Sequence, residues 1–199
     1  MKIMVGGLAA GVGFGAATSL VNALSSPFAE LGMPLKGTVW AGAAKVLSLL
    51  MDAGWSWAAL AVAMGWLAGT RVRGALVGAL VLLAATGAYY VTDASVAGAG
   101  TDMVAWSVVG LPFGLALGLV GSAIRRPGLI GLLAALIVPV GAAVQMVVLP
   151  PRPHVTLTPS IVLAEAIVWT AAALGAGWAV YRFWAEKRTE LSVQRVQSG

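Results

Sequence analysis

Long apolar segments separated by short polar ones dominate the chain. A helix needs about 20 mostly apolar residues to cross a hydrocarbon core of about 30 Å. Segments of this kind predict six membrane-spanning helices, at residues 3–24, 53–70, 74–93, 104–124, 128–149 and 159–182. We therefore expect an all-α, six-span membrane bundle that forms one domain over residues 1–186, followed by a short polar tail at 187–199.

Residues 38–52 form a shorter apolar segment that carries Lys45 and Asp52. The segment is too short to cross the bilayer, and these charges favour an amphipathic helix on the outer membrane surface. It follows the longest irregular stretch of the chain, which is interrupted by Pro27, Gly32 and Pro34.

Composition places the chain among integral membrane proteins. Hydrophobic residues make up 60% of it, charged residues 10%, and the mean hydropathy is +0.94. Soluble domains carry about 25% charged residues. The chain has no cysteine, which excludes disulfides, thiolate metal sites and cysteine nucleophiles.

The basic residues predict the orientation of the bundle. Six spans place both termini on one side, and nine basic residues fall on that side: Lys2, Arg71, Arg73, Arg125, Arg126, Arg182, Lys187, Arg188 and Arg195. Only three fall on the other, namely Lys36, Lys45 and Arg152. Basic residues concentrate in cytoplasmic loops, so both termini are expected in the cytoplasm. The net charge of +5 is thus an orientation signal, and the expected partner is the lipid bilayer rather than nucleic acid.

Two stripes of small residues recur at four-residue spacing in the first and fourth spans. We call them the glycine ladders, and they consist of Gly7, Gly11, Gly15 and Ser19, and of Gly110, Gly114, Gly118 and Ser122. Small residues on one side of a helix let a neighbouring backbone approach closely. The ladders therefore predict helix packing, either within the chain or against a partner membrane protein or a second copy.

The ladders also raise the alternative of an inverted repeat. The first span runs outward and the fourth inward, so two inverted units of three spans would place the ladders at equivalent positions, as in many secondary transporters. Glycine-mediated packing alone explains the same residues. Pro112 and Pro139, within the fourth and fifth spans, predict kinks.

One ionisable residue, Glu165, is expected inside a span. It lies about 9 Å into the last helix, counted from Pro159. A carboxylate at that depth is a candidate contact for a proton, cation or substrate. Arg152 and His154 precede it in the outer loop and are its expected partners. The alternative is that Glu165 pairs with Arg152 and only anchors the loop.

The chain carries no recognisable mark of an enzyme. It has no serine nucleophile elbow, phosphate loop or dinucleotide fingerprint, and its single histidine lacks neighbours at metal-ligand spacing. We expect no catalytic residue, metal or cofactor. An intramembrane enzyme built from Glu165 and His154 stays open as an alternative, as does a cleaved secretory signal at the start of the chain.

The stretch from Trp106 to Gly118, WSVVGLPFGLALG, is followed by the basic turn at Arg125 and Arg126. With the run from Trp66 through Arg73 to Tyr90, it resembles an uncharacterised family of small bacterial multi-spanning membrane proteins over about residues 55–150. The resemblance implies the bacterial plasma membrane and carries no activity. In size and span number the chain is also similar to the substrate-binding subunits of energy-coupling vitamin and metal importers.

Two functions are therefore expected. The first is an accessory, assembly or scaffold component that acts through glycine-mediated helix packing. The alternative is a small-solute or ion transporter, or its substrate-binding membrane subunit, in which Glu165 is a coupling or binding residue.

Overall fold

A computed structural model of the chain describes residues 1–96, 102–151 and 157–197, with side chains described as far as 189. Within these residues the regular structure is entirely helical. The α-helices are α1 (Lys2–Ser25), α2 (Val39–Met51), α3 (Gly54–Ala68), α4 (Arg71–Val96), α5 (Met103–Ala123), α6 (Leu129–Val148) and α7 (Pro159–Gln197). One 3-10 turn, Met33–Leu35, lies between α1 and α2.

Five of these helices, α1, α4, α5, α6 and α7, are long and apolar enough to cross a membrane. Helix α3 has only 15 residues, which gives a length of about 22 Å, short of the hydrocarbon core. It reaches spanning length only together with α2, and the two helices meet at an angle of 61°. The described chain thus has five apolar spans, or six if the bent α2–α3 pair counts as one.

Helix α7 is longer than the sequence predicts. It continues to Gln197, although the span was expected to end near residue 182 and a polar tail to begin at 187. Residues 183–197 contain neither glycine nor proline to stop the helix. Arg182 also donates to Glu186 at 2.9 Å, an i,i+4 ion pair that supports this part of the helix.

Helix α4 lies between the two helices that carry the glycine ladders. Gly7 faces Val77 and Gly15 faces Ala85, so α1 runs parallel to α4. On α5, Gly110 lies near Thr86 and Gly118 lies against Gly74, so α5 runs antiparallel to α4. The ladder helices α1 and α5 consequently point in opposite directions.

The α6–α7 pair forms an antiparallel hairpin beside this group. Helix α3 contacts α4, α5 and α6, whereas α2 contacts α1 and α7 and so bridges the hairpin to the first helix. In an inverted repeat of three spans each, the pair α1 and α4 would correspond to the pair α5 and α7. Helix α1 packs along α4, whereas α5 and α7 share no comparable interface among the described residues. The ladders therefore do not mark equivalent positions in two halves of like packing.

Two tight turns join α3 to α4 and α5 to α6, where only three residues separate the predicted spans. Gly69 follows α3 with a φ of 75°, and Gly128 precedes α6 with a φ of 78°. Residues with side chains rarely adopt these left-handed angles, which glycine reaches without strain. Both turns lie at the end of the bundle that we call the basic end, which carries Arg71, Arg73, Arg125, Arg126 and Arg182.

The interior is built from small side chains and the outside from large apolar ones. Val77 and Val81 on α4 are fully buried, whereas Val108, Leu174 and Tyr181 are 67%, 70% and 72% exposed. Exposed apolar surface on this scale suits contact with lipid rather than water. Close backbone approach through small residues is the usual way in which membrane helices pack.

Candidate functional site

Polar side chains from three helices meet at the end of the bundle opposite the basic end. Asn22 lies in the last turn of α1, and its Oδ1 accepts a hydrogen bond from Ser48 Oγ of α2 at 2.6 Å. Its Nδ2 donates to Tyr89 OH of α4 at 3.3 Å. Asp52, the residue that follows α2, also interacts with the Asn22 amide. The Asn22 side chain thus joins α1 to both α2 and α4.

An aromatic row continues from this network into the bundle. The Trp57 ring of α3 lies edge-on to Phe14 of α1 at 5.4 Å and to Tyr89 at 6.2 Å. Tyr89 in turn contacts Tyr90 at 5.3 Å. The row therefore joins α1, α3 and α4 beside the polar network. Aromatic faces with a nearby carboxylate are a favourable environment for a cation.

The break between α2 and α3 lies at the same place. Asp52 and Ala53 separate the two helices. The Ser56 Oγ donates to the carbonyl oxygens of Met51 and Ala53, at 2.7 and 2.6 Å, and so satisfies the backbone at the break. On the α3 side, Trp55 N–H donates to Gln145 Oε1 of α6 at 3.0 Å. Non-helical backbone at membrane depth is tolerated where protein groups or a wet cavity satisfy it. Here side chains of α3 and α6 do so.

The surroundings of the break are acidic. Asp52, Asp93 and Asp102 all lie within electrostatic range of Tyr90, and we call this region the acidic end. Asp52 is exposed as a residue. Lys45 provides an opposing charge near Asp52. A concentration of carboxylates of this kind raises the local concentration of cations.

Glu165 lies on the side of α7 that faces the rest of the bundle. It is half-buried, and Ile161 and Val168, one turn before and after it, are buried. Glu165 has an interaction partner. The predicted partners Arg152 and His154 lie outside the described residues, so their relation to Glu165 stays a prediction.

Both glycine ladders are packed against another helix of the same chain, α4. A Cβ added at Gly11 would lie 2.9 Å from the Ala84 Cβ, and one at Gly114 would lie 2.6 Å from the Ala79 Cα. The small residues Ser19 and Ser122 are buried as well. Because α4 covers both ladders, a partner membrane protein would have to bind a different face.

The two prolines differ in their surroundings. Pro112 lies inside α5 and is exposed, whereas Pro139 lies inside α6 and is half-buried near Gly175 of α7. Both interrupt the backbone hydrogen bonds of their helices, since proline has no N–H. Only Pro139 stands between two packed helices.

At the basic end, several cations lie over aromatic rings. Arg125 lies 5.3 Å from the centre of the Trp66 ring, and Lys187 lies 5.1 Å from that of Phe183. Such pairs hold the charge beside an apolar surface. They suit an interface between lipid headgroups and water.

The polar network at Asn22 and Asp52 is absent from the sequence-based predictions. Its signal in the sequence is weak: Asn22 is a single amide at the end of an apolar span, and Asp52 stands two residues before Gly54 at the start of the next apolar segment. In the part of the chain that the structure describes, no three carboxylate or imidazole side chains are grouped closely enough to hold a metal ion.

Comparisons with protein-family models, with curated proteins and with solved structures gave no match for this chain.

Proposed function

We propose that the chain is a membrane carrier for a small cationic solute, or the membrane subunit that binds such a solute, and that the solute binds at the break between α2 and α3. The observation that carries this proposal is the meeting of Asp52, Asn22 and Tyr89 at that break. Transporters commonly bind substrates and ions where a spanning helix is interrupted.

The packing of the helices supports a carrier for a second reason. Helices α1 and α5 both approach α4 at backbone distance, since a Cβ at Gly15 would lie 2.9 Å from the Ala85 Cα and one at Gly118 would lie 3.0 Å from the Gly78 Cα. The α6–α7 hairpin contacts α5 of this group directly and is otherwise joined to it through α2 and α3. A tightly packed body beside a more loosely attached hairpin is suited to the relative motion that alternating access needs. Glu165, on the hairpin, is the proposed coupling residue.

We place the protein in a bacterial plasma membrane with both termini in the cytoplasm. The basic end then faces the cytoplasm, which agrees with the bias of basic residues toward that side. The acidic end, which carries Asp52, faces outward.

An accessory or scaffold role through the glycine ladders has less support. Both ladders are covered by α4, so their contact surface is used within the chain. Such a role would need a partner that recognises one of the exposed helix faces.

Cation binding is tested on the purified chain by thermal unfolding in detergent. The probes are choline, lysine and K⁺, and 3,3-dimethylbutan-1-ol serves as the neutral isostere of choline. A ligand at about 100 times its Kd adds about 2.7 kcal/mol to stability. We expect at least one cation to raise the unfolding temperature and the neutral isostere to leave it unchanged.

The matched variants are Asp52→Asn and Glu30→Gln. Both remove one exposed carboxylate, but Asp52 lies at the break between α2 and α3 whereas Glu30 lies in the loop between α1 and α2. We expect Asp52→Asn to abolish the stabilisation and Glu30→Gln to keep it. Equal stabilisation of Asp52→Asn and the native chain would overturn the site.

Transport itself is tested in proteoliposomes with the cation that stabilises the protein. We expect Glu165→Gln to bind that cation and to lose its uptake. Full uptake by this variant would remove Glu165 from the coupling step, and uptake lost together with binding would make it a binding residue.

A further inference from the structure

The hairpin of α6 and α7 carries a shallow groove at the basic end of the bundle, which we call the hairpin groove. Arg126 and Gly128 line it from the turn before α6, and Arg182, Phe183 and Glu186 line it from α7. Its free volume of about 10 Å³ holds about one water-sized group. A ligand therefore places one atom in the groove and lies along the surface with the rest.

The groove changes from polar to apolar along its length. Pro139 of α6 lies opposite Gly175 of α7, where an added Cβ would be 3.5 Å from the Pro139 Cβ. Counted from Gly175 at about 1.5 Å per residue, Ala179 lies about 6 Å toward the basic end and Arg182 about 10 Å. The charged groups thus lie near the membrane surface, and the deeper end of the groove is formed by small apolar side chains.

Two arginines distinguish the groove from the rest of the basic end. Arg126 and Arg182 are half-buried, whereas Arg71, Arg73 and Arg125 are exposed. A half-buried arginine packs its stem on apolar surface and keeps its charged end near water. Both charges are therefore held at the groove.

The charge balance of the groove favours an anion. Glu186 accepts a hydrogen bond from Arg182 Nε at 2.9 Å and so offsets one of the two positive charges. Arg126 has no acidic partner at ion-pair distance among the described side chains. At the start of α6 the N-cap is Gly128, which has no side chain to bind the N–H groups of the first turn. Helix N-termini bind anions through such groups.

We infer that the hairpin groove binds the headgroup of an anionic phospholipid, with one phosphate oxygen in the groove beside Arg126 and Arg182 and the acyl chains along the outer surface of α6. Leu129 and Leu133 on α6 are 65% and 63% exposed, which suits contact with such chains. Basic pockets between membrane helices on the cytoplasmic side bind anionic headgroups in this way.

The polarity of the groove favours a lipid over a soluble phosphate compound. A soluble anion would use only the charged end and would leave the apolar end uncovered. A phospholipid has the same order of polar and apolar parts as the groove, measured from the membrane surface inward. The site lies at the opposite end of the bundle from Asp52, so the inference goes beyond the proposed cation site and does not depend on it.

The experiment is native mass spectrometry of the full chain released from a neutral detergent. The ionic strength is about 0.15 M, at which charges more than about 8 Å apart are largely screened. The probe is dioleoylphosphatidylglycerol. Two controls divide it into its parts: dioleoylglycerol has the chains without the phosphate, and glycerol 3-phosphate has the headgroup without the chains.

We expect the native chain to retain one dioleoylphosphatidylglycerol and neither control compound. Arg126→Gln removes a charged hydrogen-bond donor and should weaken the binding about tenfold. Arg73→Gln is the matched control, because it removes an exposed arginine of the same end from α4, which has no substantial interface with α6 or α7 among the described residues. It should leave the affinity nearly unchanged.

Glu186→Gln should act in the opposite direction. It removes the carboxylate that accepts from Arg182 Nε and repels a phosphate. We therefore expect this variant to bind dioleoylphosphatidylglycerol more tightly than the native chain. Weaker binding would contradict the role given to Arg182.

Three further results would overturn the inference. Equal retention of dioleoylglycerol would remove the phosphate contact, and equal retention of glycerol 3-phosphate would remove the lipid as its source. Equal losses in Arg126→Gln and Arg73→Gln would remove the groove as the site. If Arg126→Gln does not fold, Arg182→Gln replaces it with the same expected loss. None of these measurements requires cation binding, so this inference and the proposed function fail independently.

Discussion

Replacing Gly15 by alanine tests how closely α1 packs on α4. The added Cβ would lie 2.9 Å from the Ala85 Cα and 2.7 Å from the Ala85 carbonyl carbon, and closer still to its oxygen. Carbon atoms pack best at about 3.5–4.0 Å, so the two helices must separate by roughly 1 Å. Overpacking of this kind costs about 1–3 kcal/mol.

Gly13→Ala is the matched control on the same helix. A Cβ at Gly13 meets no atom within 4 Å. Both variants gain the same helix propensity, up to about 1 kcal/mol. The difference between them therefore isolates the steric clash with Ala85.

The assay is unfolding by sodium dodecyl sulfate in mixed micelles, followed by circular dichroism. We expect Gly15→Ala to be less stable than Gly13→Ala by about 1–3 kcal/mol. Equal stability of the two variants would refute the reasoning, since it would mean that α4 does not pack against the ladder at backbone distance.

Further predictions concern buried polar groups, and each is measured by the same unfolding assay. Ser19 Oγ is buried without a hydrogen-bond partner among the described residues, so Ser19→Ala should be neutral or stabilise the chain by up to about 1 kcal/mol; clear destabilisation would contradict this. Asn22→Leu removes the side chain that joins α1 to α2 and α4 and should cost about 1–3 kcal/mol, whereas a neutral result would mean that the network at the acidic end contributes nothing to stability. Gln145→Leu removes the acceptor of Trp55 N–H and should cost about 1–3 kcal/mol, while Gln145→Glu keeps an acceptor and should retain most of the stability. Equal losses in the two Gln145 variants would exclude that hydrogen bond as the cause.

The all-helical class follows directly from the apolar segments, and the described residues confirm it, with five helices, or six if the bent α2–α3 pair counts as one, that are long and apolar enough to cross a membrane. The reason is physical, because a bilayer accepts only structures that satisfy their own backbone. The tight turns at Gly69 and Gly128 follow equally directly from the sequence. Only three residues separate the predicted spans at each of them, so the connection has to be short.

The partner of each ladder could not be predicted. Small residues show that a helix face can be approached closely, but not which helix approaches it. The complementary signal is present on α4, where Gly74, Gly78 and Ala85 lie on faces that meet its neighbours. Reading it requires knowing that α4 lies between α1 and α5.

The break before α3 lies where the sequence predicts it, between a helix that ends near residue 52 and a span that begins at 53, whereas the bend of α2 and α3 as one pair and the helical extension of α7 were not predicted. At Asp52 the chain carries a charge and a nearby glycine, which fit the end of a surface helix as well as a bend within a span. After Arg182 the residues are polar but contain no helix breaker. Polarity marks the end of the membrane crossing there, not the end of the helix.

The central claim is that α4 covers both ladders within one chain, and disulfide cross-linking in native membranes tests it most directly. The natural chain has no cysteine, so introduced pairs react without background. A Cβ at Gly7 would lie 3.0 Å from Val77 Cγ1, and one at Gly110 would lie 3.9 Å from Thr86 Oγ1. In both pairs the added Cβ lies close to the γ-atom of the facing residue, which is the position that a cysteine sulfur would take.

We predict that Gly7→Cys with Val77→Cys, and Thr86→Cys with Gly110→Cys, each form a disulfide within a single chain on mild oxidation. The single variants Gly7→Cys and Gly110→Cys should stay monomeric. Dimers formed by these single variants, with no cross-link inside the double variants, would contradict the account, because the ladders would then face a second copy instead of α4.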